Sequence, residues 1–134
     1  MMDMKERMNS GELYIDSGYG LPQQRLMGKA RAYEYNHSHP FNQELRNDII
    51  QRMFARVGKE CWIEPPINFA YGTHISIGDN FYANFNLTLV DDAEITIGNN
   101  VMFAPNVTIS TAGHPIHPDL RHTQQQFSLP VVIE

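Results

Sequence analysis

The chain has little of what several large classes of protein require. Its 134 residues include one cysteine, Cys61. No internal disulfide can form, and the chain suits a reducing compartment such as the cytoplasm. Cys61 stands beside Trp62 at the entry to a hydrophobic repeat and reads as a packed thiol. Apolar runs last only a few residues, too short for a transmembrane helix, and the N-terminus lacks the apolar core of a secretory signal. Lys and Arg number 10 against 15 Asp and Glu, a net charge of −5, with no basic cluster. Neither a nucleic acid nor a membrane is therefore expected as a partner. There is no phosphate-binding glycine loop, no nucleophile elbow and no dinucleotide fingerprint. The length fits one domain with a sizeable core.

What the chain does have is a signal written twice. Ile75-Ser76-Ile77-Gly78-Asp79-Asn80 returns as Ile95-Thr96-Ile97-Gly98-Asn99-Asn100. Apolar or small residues recur at every sixth position through Ile77, Ala83 and Leu89, then, after a slip of two, through Ile97, Phe103 and Ile109. A second series of the same step runs through Ile63, Phe69, Ile75, Phe81 and Leu87. A period of six is neither the 3.6 of a helix nor the 2 of a simple strand; it belongs to a solenoid of short flat strands. Three sides make one triangular coil, and the two extra residues per copy fall at a corner. Gly78-Asp79-Asn80, Gly98-Asn99-Asn100, Asp91-Asp92 and Ala104-Pro105-Asn106 supply the turn chemistry.

The first 58 residues read as a helical and loop cap, and 59–134 as the coils. Residues 3–10 are expected to form a short helix with Met4 and Met8 on one side, stopped at Gly11. Glu12 to Asp16 looks extended, and Ser17 to Pro22 looks like loop. A second helix is expected from Gln23, with Leu26, Ala30 and Tyr33 as its apolar stripe, broken by His37-Ser38-His39-Pro40. Asn42 would cap a third helix running to Arg56, with Leu45, Ile49 and Met53 inward and Gly58 closing its end. Such helices suit the open end of a solenoid, which needs a cap. A polar loop at about 114–128 interrupts the repeat, as functional excursions do. Leu129 to Glu134 restarts a coil, with Ile133 in the slot of Ile77 and Ile97. The stop at Glu134 leaves an apolar edge, so either residues are missing relative to an ancestor, the favoured reading, or another subunit covers it.

His114 is the best candidate base: an imidazole takes and gives a proton near neutral pH, and this one stands where a regular coil opens into the loop. Gly113 and Pro115 constrain its backbone. Asn84 and Asp92 fall on neighbouring sides of the preceding coil and could face one groove as polar anchors for a hydroxyl-bearing substrate. On spacing alone a turn histidine with two solvated corner residues explains these positions equally well. His114, His117 and His122 lack a cysteine or carboxylate at ligand spacing, so no metal is expected. His37 and His39 read as surface or packing residues.

Tyr33-Glu34-Tyr35-Asn36-His37-Ser38-His39-Pro40, Asn80 to Thr88, Ala104-Pro105-Asn106-Val107-Thr108 and Gly113-His114-Pro115 carry a resemblance. Across nearly the whole chain they resemble the galactoside O-acetyltransferases, or thiogalactoside transacetylases, of the hexapeptide-repeat acyltransferase family, with maltose acetyltransferases as near relatives. The resemblance implies a mainly β fold, a left-handed parallel β-helix with an N-terminal helical cap, assembled as a homotrimer with active sites between subunits. It implies direct transfer of acetyl from acetyl-CoA to a sugar hydroxyl at C6, with His114 as general base. Asp16, Arg25, Tyr82, Asn84 and Asp92 match positions around the sugar. Asn84 is also a candidate contact for the acetyl-CoA co-substrate, whose other contacts are expected beyond Glu134. Ala70 and Gln126 depart from the family pattern, which has a serine and a methionine there. The alternatives are a non-catalytic trimeric β-helix with at most sugar binding, and an acetyltransferase for another acceptor such as maltose.

Overall fold

In the computed structural model, which describes residues 2–134, the repeat winds into a three-sided prism. The elements begin with α1 (Met4–Met8), α2 (Leu21–Asn36) and α3 (Gln43–Met53). Three coils follow as β1 (Arg56–Val57), β2 (Trp62–Ile63), β3 (Ile67–Phe69), β4 (Ile75–Ile77), β5 (Tyr82–Ala83), β6 (Leu87–Val90), β7 (Ile95–Ile97), β8 (Met102–Phe103) and β9 (Thr108–Ser110). An excursion holds β10 (Ala112–Gly113), α4 (Pro118–Arg121) and β11 (Phe127–Ser128), and β12 (Val131–Ile133) resumes the coil. The faces are the parallel sheets β1-β4-β7-β12, β2-β5-β8 and β3-β6-β9.

Register explains the periodicity. Ile75 lies opposite Ile95, Trp62 opposite Tyr82 and Ile67 opposite Leu87, always 20 residues apart. Between β7 and β12 the offset becomes 36, with Val131 opposite Ile95, so the excursion inserts 16 residues into one coil. The six-step series supplies the inward residues: Ile63, Phe69, Ile77, Ala83, Leu89 and Ile97 are all buried. Phe69 to Ile77 and Leu89 to Ile97 are the eight-residue steps, so the two extra residues of every coil sit at the corner between the β3-β6-β9 and β1-β4-β7-β12 faces.

At the opposite end of the β1-β4-β7 strands the corner turns on stacked small residues. A Cβ built on Gly78 would come within 2.7 Å of the Gly98 carbonyl carbon, and one on Gly58 within 2.6 Å of that of Gly78. Gly58 is therefore the first of three stacked corner glycines and does not close α3. The third helix ends at Met53 rather than Arg56, because Ala55 N–H already donates to Ile75 O at 2.9 Å and Arg56–Val57 pairs with β4. Two residues further along this corner, Glu60, Asn80 and Asn100 all have φ near 60°. Asparagine tolerates the left-handed region and glutamate does not. Glu60→Asn is expected to stabilise the protein by about 0.5–1 kcal/mol in denaturant titration, by relieving strain and extending the Asn80–Asn100 amide ladder.

The cap finishes the top coil as a strand would. Asn36 Nδ2 donates to Ile67 O at 2.9 Å while its Oδ1 accepts from Ile67 N–H at 2.9 Å, so one amide pairs with the edge of β3. Tyr35 Oη donates to Ile63 O at 2.5 Å and covers the edge of β2. Sheet edges left bare invite foreign strands, and these two side chains occupy them. From α3, Ile49, Ile50 and Met53 enter the core. His37 and His39 are exposed and stack on Tyr33 and Phe41.

The second helix differs from its expected form. It starts at Leu21, with Pro22 in its first turn, and its buried positions are Leu21, Gly28, Ala32 and Tyr35. Leu26, Ala30 and Tyr33 face outward. The reason is steric: the helix lies against the backbone of Tyr71, and only Gly28 permits that approach, since a Cβ there would fall 2.8 Å from the Tyr71 carbonyl carbon. Although alanine is the better helix former, Gly28→Ala is expected to destabilise the protein by about 2 kcal/mol. Chemical denaturation monitored by circular dichroism reads the sign.

Candidate active site

The excursion leaves the prism at the corner with the extra residues, and its two arms close on each other. Ala112 pairs with Ser128 and Gly113 with Phe127, antiparallel. The N-terminal extended segment then locks the returning arm: Tyr14 and Gln126 exchange both backbone hydrogen bonds at 2.8 Å, Gly11 N–H donates to Ser128 O, and Ser128 Oγ donates to Met8 O. A residue distant in sequence, Asp16, is thereby set beside the excursion. Asp16, His114, Arg121, Gln124 and Gln126 line one cavity of about 490 Å³.

His114 is exposed at its lip. Its Nδ1 lies 3.4 Å from Gln125 O, a long contact in which the carbonyl can only accept, and Nε2 has no partner among the described residues. Asp16 Oδ2 is 3.6 Å from Arg25 Nη1, which also donates to Tyr71 Oη at 2.9 Å. Asp92 is buried at the same corner, where Oδ2 accepts from Gln126 Nε2 at 2.7 Å and from Tyr14 Oη at 3.2 Å. Burial pushes the Tyr14 hydroxyl up to about 12, so it stays a donor to Asp92 at neutral pH.

The neighbouring Asp91 is fully buried and serves the scaffold. Its Oδ1 accepts from Ala70 N–H and Tyr71 N–H, at 3.0 and 2.8 Å, and its Oδ2 from Gly72 N–H at 2.8 Å. Burial raises its pKa and the N–H donors oppose that rise. The Asp91-Asp92 doublet thus splits, one carboxylate tying the 70–72 loop and the other turned toward the cavity network.

Of the residues singled out in the sequence, the structure gathers His114, Asp16, Arg25 and Asp92. It does not bring Asn84 to Asp92. Asn84 lies at the corner between β5 and β6, where its Oδ1 accepts from Phe85 N–H, whereas Asp92 lies at the next corner, between β6 and β7. Within one chain they share no groove, because each side of the coil turns the direction of the chain. Tyr82 is on the outer side of β5, in register between Trp62 and Met102, away from His114. Tyr14, Tyr71, Arg121 and Gln124 were not singled out by sequence, and Asp91 only as a turn residue. Tyr14 and Tyr71 look like ordinary core aromatics until the fold puts their hydroxyls on Asp92 and Arg25.

A larger cleft of about 800 Å³ runs between α3 and the first coil, along Arg56, Lys59, Cys61 and Trp62. Burial pushes the Cys61 thiol up to about 12, so it is packed and protonated at neutral pH. Among the described residues no three His, Cys, Asp or Glu side chains converge as metal ligands, and no helix is long and apolar enough to cross a membrane.

A three-sided parallel β-helix wound on a six-residue period places the chain in the hexapeptide-repeat class of proteins. Comparisons narrow the class. Residues 7–58 match the maltose acetyltransferase hexapeptide capping motif. Galactoside O-acetyltransferase of Escherichia coli K12 is 54% identical over 132 residues, which are 98% of this chain and 65% of that protein. A galactoside acetyltransferase solved in complex with coenzyme A superimposes with a TM-score of 0.92 at 54% identity, over 97% of this chain and 65% of that one. A maltose O-acetyltransferase from Clostridium difficile 630 does so with a TM-score of 0.92 at 38% identity, over 96% and 69%. The chain belongs to the hexapeptide-repeat acetyltransferases, and its fold is their left-handed β-helix. It spans 65% of the length of the Escherichia coli relative.

Proposed function

We propose that the protein is an O-acetyltransferase that moves the acetyl group of acetyl-CoA to the C6 hydroxyl of a galactoside-type sugar. The observation that carries this reading is His114 at the mouth of a polar cavity, with Nδ1 3.4 Å from Gln125 O and Nε2 without a partner among the described residues. Nε2 takes the proton of the acceptor hydroxyl as its oxygen attacks the thioester carbonyl; the carbon–sulfur bond breaks, and the departing thiolate receives that proton from the imidazolium. Acetyl-CoA supplies the activated acyl group. Asp16, held by Arg25, and Asp92, held by Tyr14 and Gln126, accept hydrogen bonds from the remaining sugar hydroxyls and fix which one meets the base.

The working unit in this proposal is a homotrimer. Tyr82 and Asn84 are too far around the prism to join His114 of their own chain, and Trp62, Tyr82 and Met102 form an outward row in which Trp62 and Met102 are exposed and Tyr82 is half-buried. A neighbouring copy seated along that row brings Tyr82 and Asn84 to the cavity edge. A maltose-type acceptor is the second reading, supported by the capping-motif match. The test is release of free coenzyme A thiol when the protein is mixed with acetyl-CoA and a thiogalactoside, methyl galactoside or maltose. Release only with galactosides supports the first reading, release with maltose the second, and none above background removes both.

A further inference from the structure

We infer that Gln126 is a specificity-determining residue that reads a second hydroxyl of the acceptor through its side-chain oxygen. The inference rests on the acetyl-transfer reading and follows from a count of hydrogen bonds. Gln126 is only 6% exposed, yet it lines the His114 cavity. Both amide hydrogens are spent inside the protein, one on Asp92 Oδ2 at 2.7 Å and one on Tyr14 Oη at 2.9 Å. A carboxylate accepts and does not donate, so the nitrogen must face Asp92 and the amide cannot be turned over. That leaves Oε1, which accepts from no group among the described residues. Among the described residues no buried side-chain nitrogen or oxygen lacks a partner. Oε1 is therefore not sealed inside; it opens on the cavity.

Asp92 stands behind Gln126 rather than in the cavity lining; its Oδ2 carries both bonds, and its Oδ1 accepts from no donor among the described residues. The amide fixes the carboxylate in one orientation and sets a neutral acceptor oxygen beside it. The arrangement suits a polyhydroxylated ligand with donors at adjacent positions, and it penalises a ligand without the hydroxyl that meets Oε1.

The test is binding of methyl β-galactoside and its 2-, 3- and 4-deoxy analogues, by calorimetry or saturation-transfer NMR, to the wild type, Gln126→Met and Gln126→Glu. The wild type is expected to bind one deoxy analogue about tenfold more weakly than the parent sugar. Gln126→Met should bind that analogue and the parent equally. Gln126→Glu keeps an acceptor oxygen and should retain the preference among those sugars it still binds. Equal weakening of every sugar by Gln126→Met, or discrimination unchanged from wild type, overturns the assignment of Gln126 and leaves the acetyl-transfer reading standing. If no sugar binds the wild type, both fall.

Discussion

Replacing His114 with alanine is expected to lower the rate of acetyl transfer by about 10²–10⁴-fold, the usual worth of a positioned general base. The step that suffers is proton removal. A sugar hydroxyl is a poor nucleophile until its proton is leaving, and among the five residues lining the cavity only His114 carries an imidazole that can take it. Folding should not suffer, because the ring is exposed and its one bond to the protein is the 3.4 Å contact with Gln125 O. Melting temperature and sugar affinity should therefore stay within error of the wild type while turnover collapses. Added imidazole should restore part of the rate, since the alanine leaves room at an open lip. A variant that keeps turnover within threefold of wild type would show that the base lies elsewhere.

How far the sequence foretold this arrangement depends on what each residue is paired with. The six-residue rhythm is a local property, because inward positions such as Ile77, Ala83 and Leu89 are set by the turn of one coil, and it translates directly into three faces. The two-residue slip even marks the corner from which the excursion leaves. A third copy of the repeat was masked at Val57-Gly58-Lys59-Glu60, where glutamate occupies the left-handed position that asparagine holds in the other two. That substitution hid the first strand, β1, and made Gly58 look like a helix stop. The stripe of Leu26, Ala30 and Tyr33 misled for a related reason. Helical spacing names a face but not which face is buried, and here a single close backbone approach at Gly28 outweighs three larger apolar side chains.

The site was legible only in part. His114 stands out because the repeat fails there, and Asp92 because it sits at the slip. Gln126 drew notice only as a departure from the family pattern, and its role depends on Tyr14, 112 residues away, through a two-stranded bridge with no periodic signal. The separation of Asn84 from Asp92 was likewise invisible: eight residues span one side of the prism and two corners.

The second large effect is expected at Asp91, where alanine should cost about 4 kcal/mol and lower the melting temperature by about 15 °C. The carboxylate is fully buried and receives the N–H groups of Ala70, Tyr71 and Gly72. Removing it strands three donors in the interior, and each buried orphan costs about 1–3 kcal/mol, less than additively once the loop relaxes or water enters. Asparagine should rescue little: its oxygen can serve two of the donors, but its NH2 then points at the N–H of the third. The damage should also reach the cavity. The 70–72 loop carries Tyr71, whose ring lies under Arg25 and whose hydroxyl accepts from it, and Arg25 in turn holds Asp16. Asp91→Ala should therefore weaken sugar binding as well as stability, although Asp91 touches no substrate. Tyr71→Phe separates the two effects, since it breaks only the Arg25 bond and should weaken binding with a small change in melting temperature. A loss below about 3 °C in Asp91→Ala would mean that water replaces the carboxylate at no cost, and that the loop is held by the packing of α2 on Tyr71 alone.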